Sequence, residues 1–151
     1  MTWVSSIPDG AMVLVDTNPV IYVLAGHRLG AQFEEHFADI ANGRISGLTT
    51  PITLAEVVAG PLSVGNESLA ARYQAALTSG PGWRLREIDA EIAVLASRLC
   101  IQHRLRLSNA LQLAAAVYEN CFAVITHDRD FRRVREMRVL GLASCLVAPR
   151  R

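Results

Sequence analysis

Ala11 to Val15 is an unbroken run of five apolar residues that stops at a carboxylate, Asp16, with Asn18-Pro19 two residues on. A short continuous apolar run predicts a strand buried on both faces, the kind found in parallel sheets covered on both sides. Asn followed by Pro supplies an N-cap and a first-turn proline, so a helix carrying Val20, Ile21, Val23 and Leu24 starts there and stops near Gly26. Asp16 is thereby placed at the carboxyl edge of a sheet, where open α/β sheets build their sites. A lone aspartate in that place more often just caps the next turn; three later stretches end in similar places.

The rest of the chain keeps alternating. Gly30 to Ala41 reads as an amphipathic cover helix with Phe33, Phe37, Ile40 and Ala41 on one side and Gly43 closing it. Ile45 to Thr49 is a second strand, and Thr50-Pro51 repeats the cap-then-proline start of a helix running to about Gly60. On that helix Glu56 shares a stripe with Ile52, Ala59 and Gly60, and an acid on a buried stripe needs a partner. A helix over 67–77, a break at Gly80-Pro81-Gly82, a strand over 83–88 and a helix capped by Asp89 follow. Ser108 caps a further helix opened by Asn109, with Leu111, Ala114, Ala115 and Tyr118 as its buried side. The apolar strand Phe122 to Thr126 ends at His127-Asp128, and a short helix through Phe131 and Val134 precedes strands over 137–140 and 144–147. This pattern predicts a single α/β domain, core about 11–148, with a parallel central sheet and helices on both faces.

A chain of 151 residues needs no second core, and its apolar runs are all shorter than the roughly 18 residues of a membrane span. Three widely spaced cysteines, Cys100, Cys121 and Cys145, form no disulfide framework or zinc knuckle, which with no secretory signal at 1–10 predicts a cytoplasmic protein. Net charge is +1, so no bulk basic field announces nucleic acid, yet all fifteen basic residues are arginine and eight follow Leu105. Those after Asp128, Arg129, Arg132 and Arg133 among them, suit a phosphate-rich substrate at the rim of an acidic centre. His127 reads as a solvated loop residue, Cys100 as core filling and Trp83 as packed at the start of its strand.

Asp16 and Asp128 each end an apolar strand, Glu56 lies on a helix stripe and Asn109 sits in the first turn of a helix; right-handed crossovers can bring all of them to one sheet edge. Oxygen ligands without histidine or thiolate at ligand spacing favour Mg²⁺ or Mn²⁺ over zinc. Such an ion supports phosphodiester hydrolysis by activating water and neutralising gathered charge. The second aspartate of a haloacid-dehalogenase-type phosphatase is missing two residues after Asp16, where Asn18 stands, and no Gly-x-Gly-x-x-Gly follows a strand.

Val-Asp16-Thr-Asn18-Pro-Val-Ile-Tyr, Thr-Pro-Ile-Thr-Leu-Ala-Glu56-Val, Arg-Leu-Ser-Asn109-Ala-Leu-Gln-Leu-Ala and Ile-Thr-His-Asp128-Arg-Asp130-Phe, in that order, resemble the motifs of PIN domains, in particular VapC toxins of toxin-antitoxin pairs. The resemblance implies a Mg²⁺-dependent endoribonuclease, usually a homodimer, silenced by a small antitoxin that covers the acidic pocket. Carried over by position, Asp16, Glu56, Asn109 and Asp128 are the catalytic set. Asp16, Glu56 and Asp128 hold metal or position water, Asp130 is a peripheral acid at the metal, and Asn18 and Thr126 are polar supports. One position departs: the family usually carries aspartate where this chain has Asn109. An amide keeps one oxygen, loses the charge and adds a donor, so metal binding and cleavage should weaken. The alternative is a non-catalytic module that keeps the fold to bind RNA or an antitoxin. The apolar faces of Val20 to Leu24 and Phe33 to Ile40 are the expected docking surface for an antitoxin or a second copy.

Overall fold

The structure, a computed structural model, describes residues 7–142. Five parallel strands, β1 (Met12–Val15), β2 (Ser46–Thr49), β3 (Trp83–Leu85), β4 (Ala123–Ile125) and β5 (Arg138–Leu140), form one sheet in the order β3-β2-β1-β4-β5. Six α-helices connect them: α1 (Thr17–Leu24), α2 (Glu34–Ala41), α3 (Pro51–Ser63), α4 (Glu67–Thr78), α5 (Ala90–His103) and α6 (Leu107–Tyr118). The predicted fold class is the one found; the strand expected over 144–147, and Cys145, lie outside the described residues.

Alternation along β1 divides the core. Leu14 faces the cluster beneath α5 and α6, with Leu113, Ala114, Val124 and Phe131, whereas Val13 and Val15 face the opposite cluster, with Val20, Phe33, Ile40 and Ile125. All of these are fully buried, which is why β1 reads as a continuous apolar run and not as an alternating one. Direction of travel across the sheet reverses between β1 and β4, and the carboxyl ends of those two strands frame a crevice. The ladder reaches one residue past β1, where Asp16 N–H donates to the Ile125 carbonyl at 2.9 Å, so Asp16 is fixed to the sheet.

Boundaries differ in instructive ways. Helix α1 begins at Thr17 with Asp16 in the N-cap position, two residues earlier than Asn18-Pro19 predicts; Pro19 is accommodated within the first turn, whose N–H groups lack helical partners anyway. The expected cover helix over 30–41 is split into a 3-10 helix, Arg28–Phe33, and α2, which buries His36 and Ile40 and only half-buries Phe37. Helix α3 starts at Pro51 as predicted but buries Thr53, Val57 and Pro61, so Glu56 is exposed and not on the inward stripe. The buried side of α6 includes Asn109, Ala110, Gln112, Leu113 and Ala116 together with Ala114 and Ala115, while Tyr118 is exposed and Leu111 only half-buried. Trp83 does begin β3 and packs on Phe37, ring centroids 5.4 Å apart. Just before it Gly82 has φ +81°, and a Cβ there would lie 2.2 Å from the Ile40 carbonyl oxygen, so only glycine lets the chain turn into β3 beneath α2.

Candidate active site

At the carboxyl ends of β1 and β4 a polar pocket of about 150 Å³ is lined by Asp16, Thr17, Asn18, Glu56, Arg106, Ser108, Asn109 and Asp128. Asp16, Glu56, Asn109 and Asp128, singled out from four separated motifs, therefore share one cavity. Asp16 is 5% exposed. Its carboxylate accepts from Thr126 Oγ1 at 2.7 Å and from Gln112 Nε2 at 3.2 Å. Burial pushes its carboxyl above the usual range; the Thr126 bond, the Thr17 amide and Gln112 oppose that rise, and neighbouring Asp128 adds to it. Although Asp16 holds the N-cap position of α1, its side chain makes no capping hydrogen bond with that helix. The capping explanation for an aspartate at this strand end does not apply.

Thr126, fully buried at the end of β4, ties the two aspartates together: its hydroxyl donates to Asp16 and accepts the Asp128 N–H at 3.0 Å. Asp128 in turn accepts the Asp130 N–H at 2.9 Å on Oδ1 and the Asn109 side-chain amide at 3.0 Å on Oδ2. Asp130 is not among the residues lining the pocket. Its carboxylate lies 3.1 Å from Arg133 and 3.7 Å from Arg106. Arg129, Arg132 and Arg133 are exposed on the 3-10 helix that follows Asp128, and Arg106 reaches the pocket rim from the start of α6 with 77% of its side chain exposed.

Sequence reasoning missed Gln112. It is 1% exposed and sits one turn beyond Asn109 on the same face of α6. Its amide oxygen accepts from Thr50 Oγ1 at 2.5 Å, and its amide nitrogen donates both to Asp16 and to Thr53 Oγ1 at 2.5 Å. The chain of bonds continues from Thr53 to Thr17, 3.1 Å between hydroxyl oxygens, and from Thr17 Oγ1 to Glu56 Oε1 at 3.2 Å. With Thr17's hydrogen committed to Glu56, Thr53 is the donor to Thr17. Gln112 was legible as the one polar residue inside Leu111-Gln-Leu-Ala-Ala-Ala, at i+3 from Asn109. His127 also differs from its reading as a solvated residue: it is half-buried, edge-on to Tyr22 and Phe33.

The donor atoms are all oxygens, which suits a hard cation, and Mg²⁺ is usually held by one or two carboxylates with water filling the remaining positions. Asp16 and Asp128 fit that arrangement. Among the described residues no three histidine, cysteine or carboxylate side chains gather closely enough to form a metal site without further ligands. Asn109, standing where a fourth carboxylate would crowd Asp128, presents N–H to it instead.

Among the described residues no helix is long and apolar enough to cross a membrane. The sequence profile of the PIN domain matches residues 13–137. The chain matches no curated protein. Similar solved structures include the VapBC2 complex of Rickettsia felis bound to a DNA fragment from its promoter, at TM-score 0.67 and 16% identity over 85% of this chain and 96% of that one. A toxin-antitoxin complex from Klebsiella pneumoniae aligns at TM-score 0.65 and 23% identity, covering 83% and 94% of the two chains. VapC20 of Mycobacterium tuberculosis, a toxin that cleaves the sarcin-ricin loop, aligns at TM-score 0.65 and 16% identity, covering 83% and 98%.

Proposed function

This chain belongs to the PIN-domain family, and from that premise we propose that it is the toxin of a VapBC-type pair: a metal-dependent endoribonuclease whose activity is reduced by Asn109. The observation that carries the reading is the convergence of Asp16, Glu56, Asn109 and Asp128 on one pocket at the β1–β4 crevice. Asp16 and Asp128 would hold the cation, and bound Mg²⁺ or Mn²⁺ supplies activation of water and neutralisation of the charge on a phosphodiester. Asp16 is oriented for this by Thr126 and Gln112. Glu56 stands exposed at the mouth with Thr17 fixing one oxygen, placed to accept a proton from incoming water. Arg106 and Ser108 on the rim, with Arg129, Arg132 and Arg133 beyond, are the groups that meet substrate phosphates.

An antitoxin partner is supported by the solved complexes this chain resembles and by an apolar groove that begins at Glu56. Ile21, Ala25, Val57, Pro61, Leu69 and Tyr73 line it, about 310 Å³ between α1, α3 and α4. Part of the docking surface read from the sequence is closed to a partner, since Val20, Phe33 and Ile40 are fully buried in this chain's own core. Homodimerisation, and a location in the cytoplasm, belong to the same proposal.

Total RNA incubated with this chain and with Asn109→Asp, in Mg²⁺, in Mn²⁺ and in chelator, tests the reading. The aspartate form should cleave faster by at least the roughly 10–100-fold that altering a metal site's supporting groups costs. No cleavage by either form defeats the nuclease and favours the second reading, a non-catalytic module that binds RNA or an antitoxin. That reading draws on one contact: the Asn109 amide donates to Asp128 Oδ2, an oxygen that a cation would otherwise use.

A further inference from the structure

The pocket holds phosphate chemistry, and an aromatic cluster beside it offers something for a base. Asn18 lines the pocket, and Tyr22 stands one turn further along the same face of α1. The Tyr22 ring stacks on His27, centroids 5.1 Å apart and planes inclined by 28°. It also meets the edge of His127 at 5.7 Å, with its hydroxyl 3.4 Å from His127 Nδ1. His127 immediately precedes Asp128 and is itself edge-on to the fully buried Phe33 at 6.3 Å.

The outermost ring is held in place. His27 Nδ1 accepts the Leu29 N–H at 3.1 Å, capping the 3-10 helix, and this bond assigns the remaining hydrogen to Nε2. The ring is nevertheless exposed, as is neighbouring Arg28. A row of rings thus leads from buried Phe33 through His127, at the catalytic edge, to an exposed face at His27. Rings already ordered by packing lose little freedom when a base lies on them, and every base has a π-face to offer.

Resting on the ribonuclease reading, we propose that the Tyr22–His27 ring pair is a stacking platform for a base of single-stranded RNA flanking the phosphate held in the acidic pocket. Arg28 takes the adjoining backbone phosphate. Bases that stack well are thereby favoured next to the cleaved bond, without hydrogen-bond readout of their identity.

The test compares two probes bound by the full chain in chelator, where no cleavage occurs: a short single-stranded oligoribonucleotide and the same backbone with abasic sites throughout, each followed by fluorescence anisotropy. The intact oligonucleotide should bind about tenfold more tightly than the abasic one. His27→Asn keeps a capping acceptor and removes the ring, so it should bring the affinity for the intact probe down to that for the abasic probe while the melting temperature stays put. Equal binding of both probes by the unaltered chain overturns the platform and leaves the ribonuclease reading standing, as does a His27→Asn variant that keeps the full preference. Binding of neither probe overturns the platform, while the ribonuclease reading is decided separately by the cleavage comparison with Asn109→Asp.

Discussion

The Asn109 side-chain amide donates to Asp128 Oδ2 at 3.0 Å, so one oxygen of a pocket carboxylate is held by a neutral donor. The amide removes like-charge repulsion and occupies a lone pair that a cation would use. Asn109→Asp reverses both effects. Two carboxylates at hydrogen-bonding distance repel until a cation lies between them, so this variant should melt below the unaltered chain in chelator and gain more on adding Mg²⁺. At roughly 2–4 °C per kcal/mol for a domain of this size, a site filled well above its dissociation constant gives a shift that thermal melts read directly. Equal Mg²⁺ shifts in the two proteins would falsify the view that Asn109 weakens metal binding.

Gln112 makes three side-chain hydrogen bonds in a region closed to water, to Thr50, Thr53 and Asp16. Replacing it by leucine keeps the bulk, strips the Thr50 hydroxyl of its acceptor and takes one donor each from Thr53 and Asp16. The expected loss is about 1–3 kcal/mol of unfolding free energy, measured by urea titration. A loss below about 0.5 kcal/mol, the level of an ordinary surface change, would show that the partners find other bonds. Because Gln112 also orients Asp16, cleavage by a doubly substituted Asn109→Asp, Gln112→Leu protein should fall below that of Asn109→Asp alone.

Much of this fold is legible in the order of residues, for physical reasons that differ by element. Strand β1 and helix α3 are legible because an apolar run and a Thr-Pro start are local, and Asp16 and Asp128 because each ends such a run. By sequence Glu56 reads as lying on the inward side of α3, because Ile52, Ala59 and Gly60 outline a plausible stripe. The real one, through Thr53, Val57 and Pro61, is partly polar because Thr53 belongs to the Gln112 network. Likewise the buried face of α6 cannot be picked out by hydrophobicity when almost every side chain in it is apolar. The ring cluster around His127 joins residues about a hundred positions apart, and no local spacing announces it.

Cys121 is 7% exposed at the foot of β4, and burial, aided by neighbouring Glu119, pushes its thiol up to about 12. Only thiolate is alkylated at an appreciable rate. In the native protein at mildly alkaline pH, iodoacetamide should leave Cys121 unmodified, whereas the same reagent in urea should label it fully. Peptide mass spectrometry distinguishes the sites. Native labelling of Cys121 at the rate of a free thiol would mean that this end of the sheet opens readily.

His36 is 3% exposed on α2, and its Nδ1 has no hydrogen-bond partner among the described residues. Burial depresses its basicity, Arg44 acts in the same direction, and Asp39 and Glu35 oppose them. The folded protein therefore protonates His36 at lower pH than the unfolded chain, in which histidine titrates near 6.5. Between the two values the unfolded state binds more protons, so stability rises with pH across that window. The contribution is fully present above about 6.5 and is lost as pH falls toward the depressed folded value. His36→Phe removes the titrating group and keeps a ring in the same space. Urea titrations of both proteins between about pH 5 and 7 should give a shallower decline on acidification for the variant. His27, His103 and His127 are common to both proteins and cancel in the comparison. Parallel curves would mean that His36 takes up its proton at the same pH folded and unfolded, with Asp39 and Glu35 offsetting its burial.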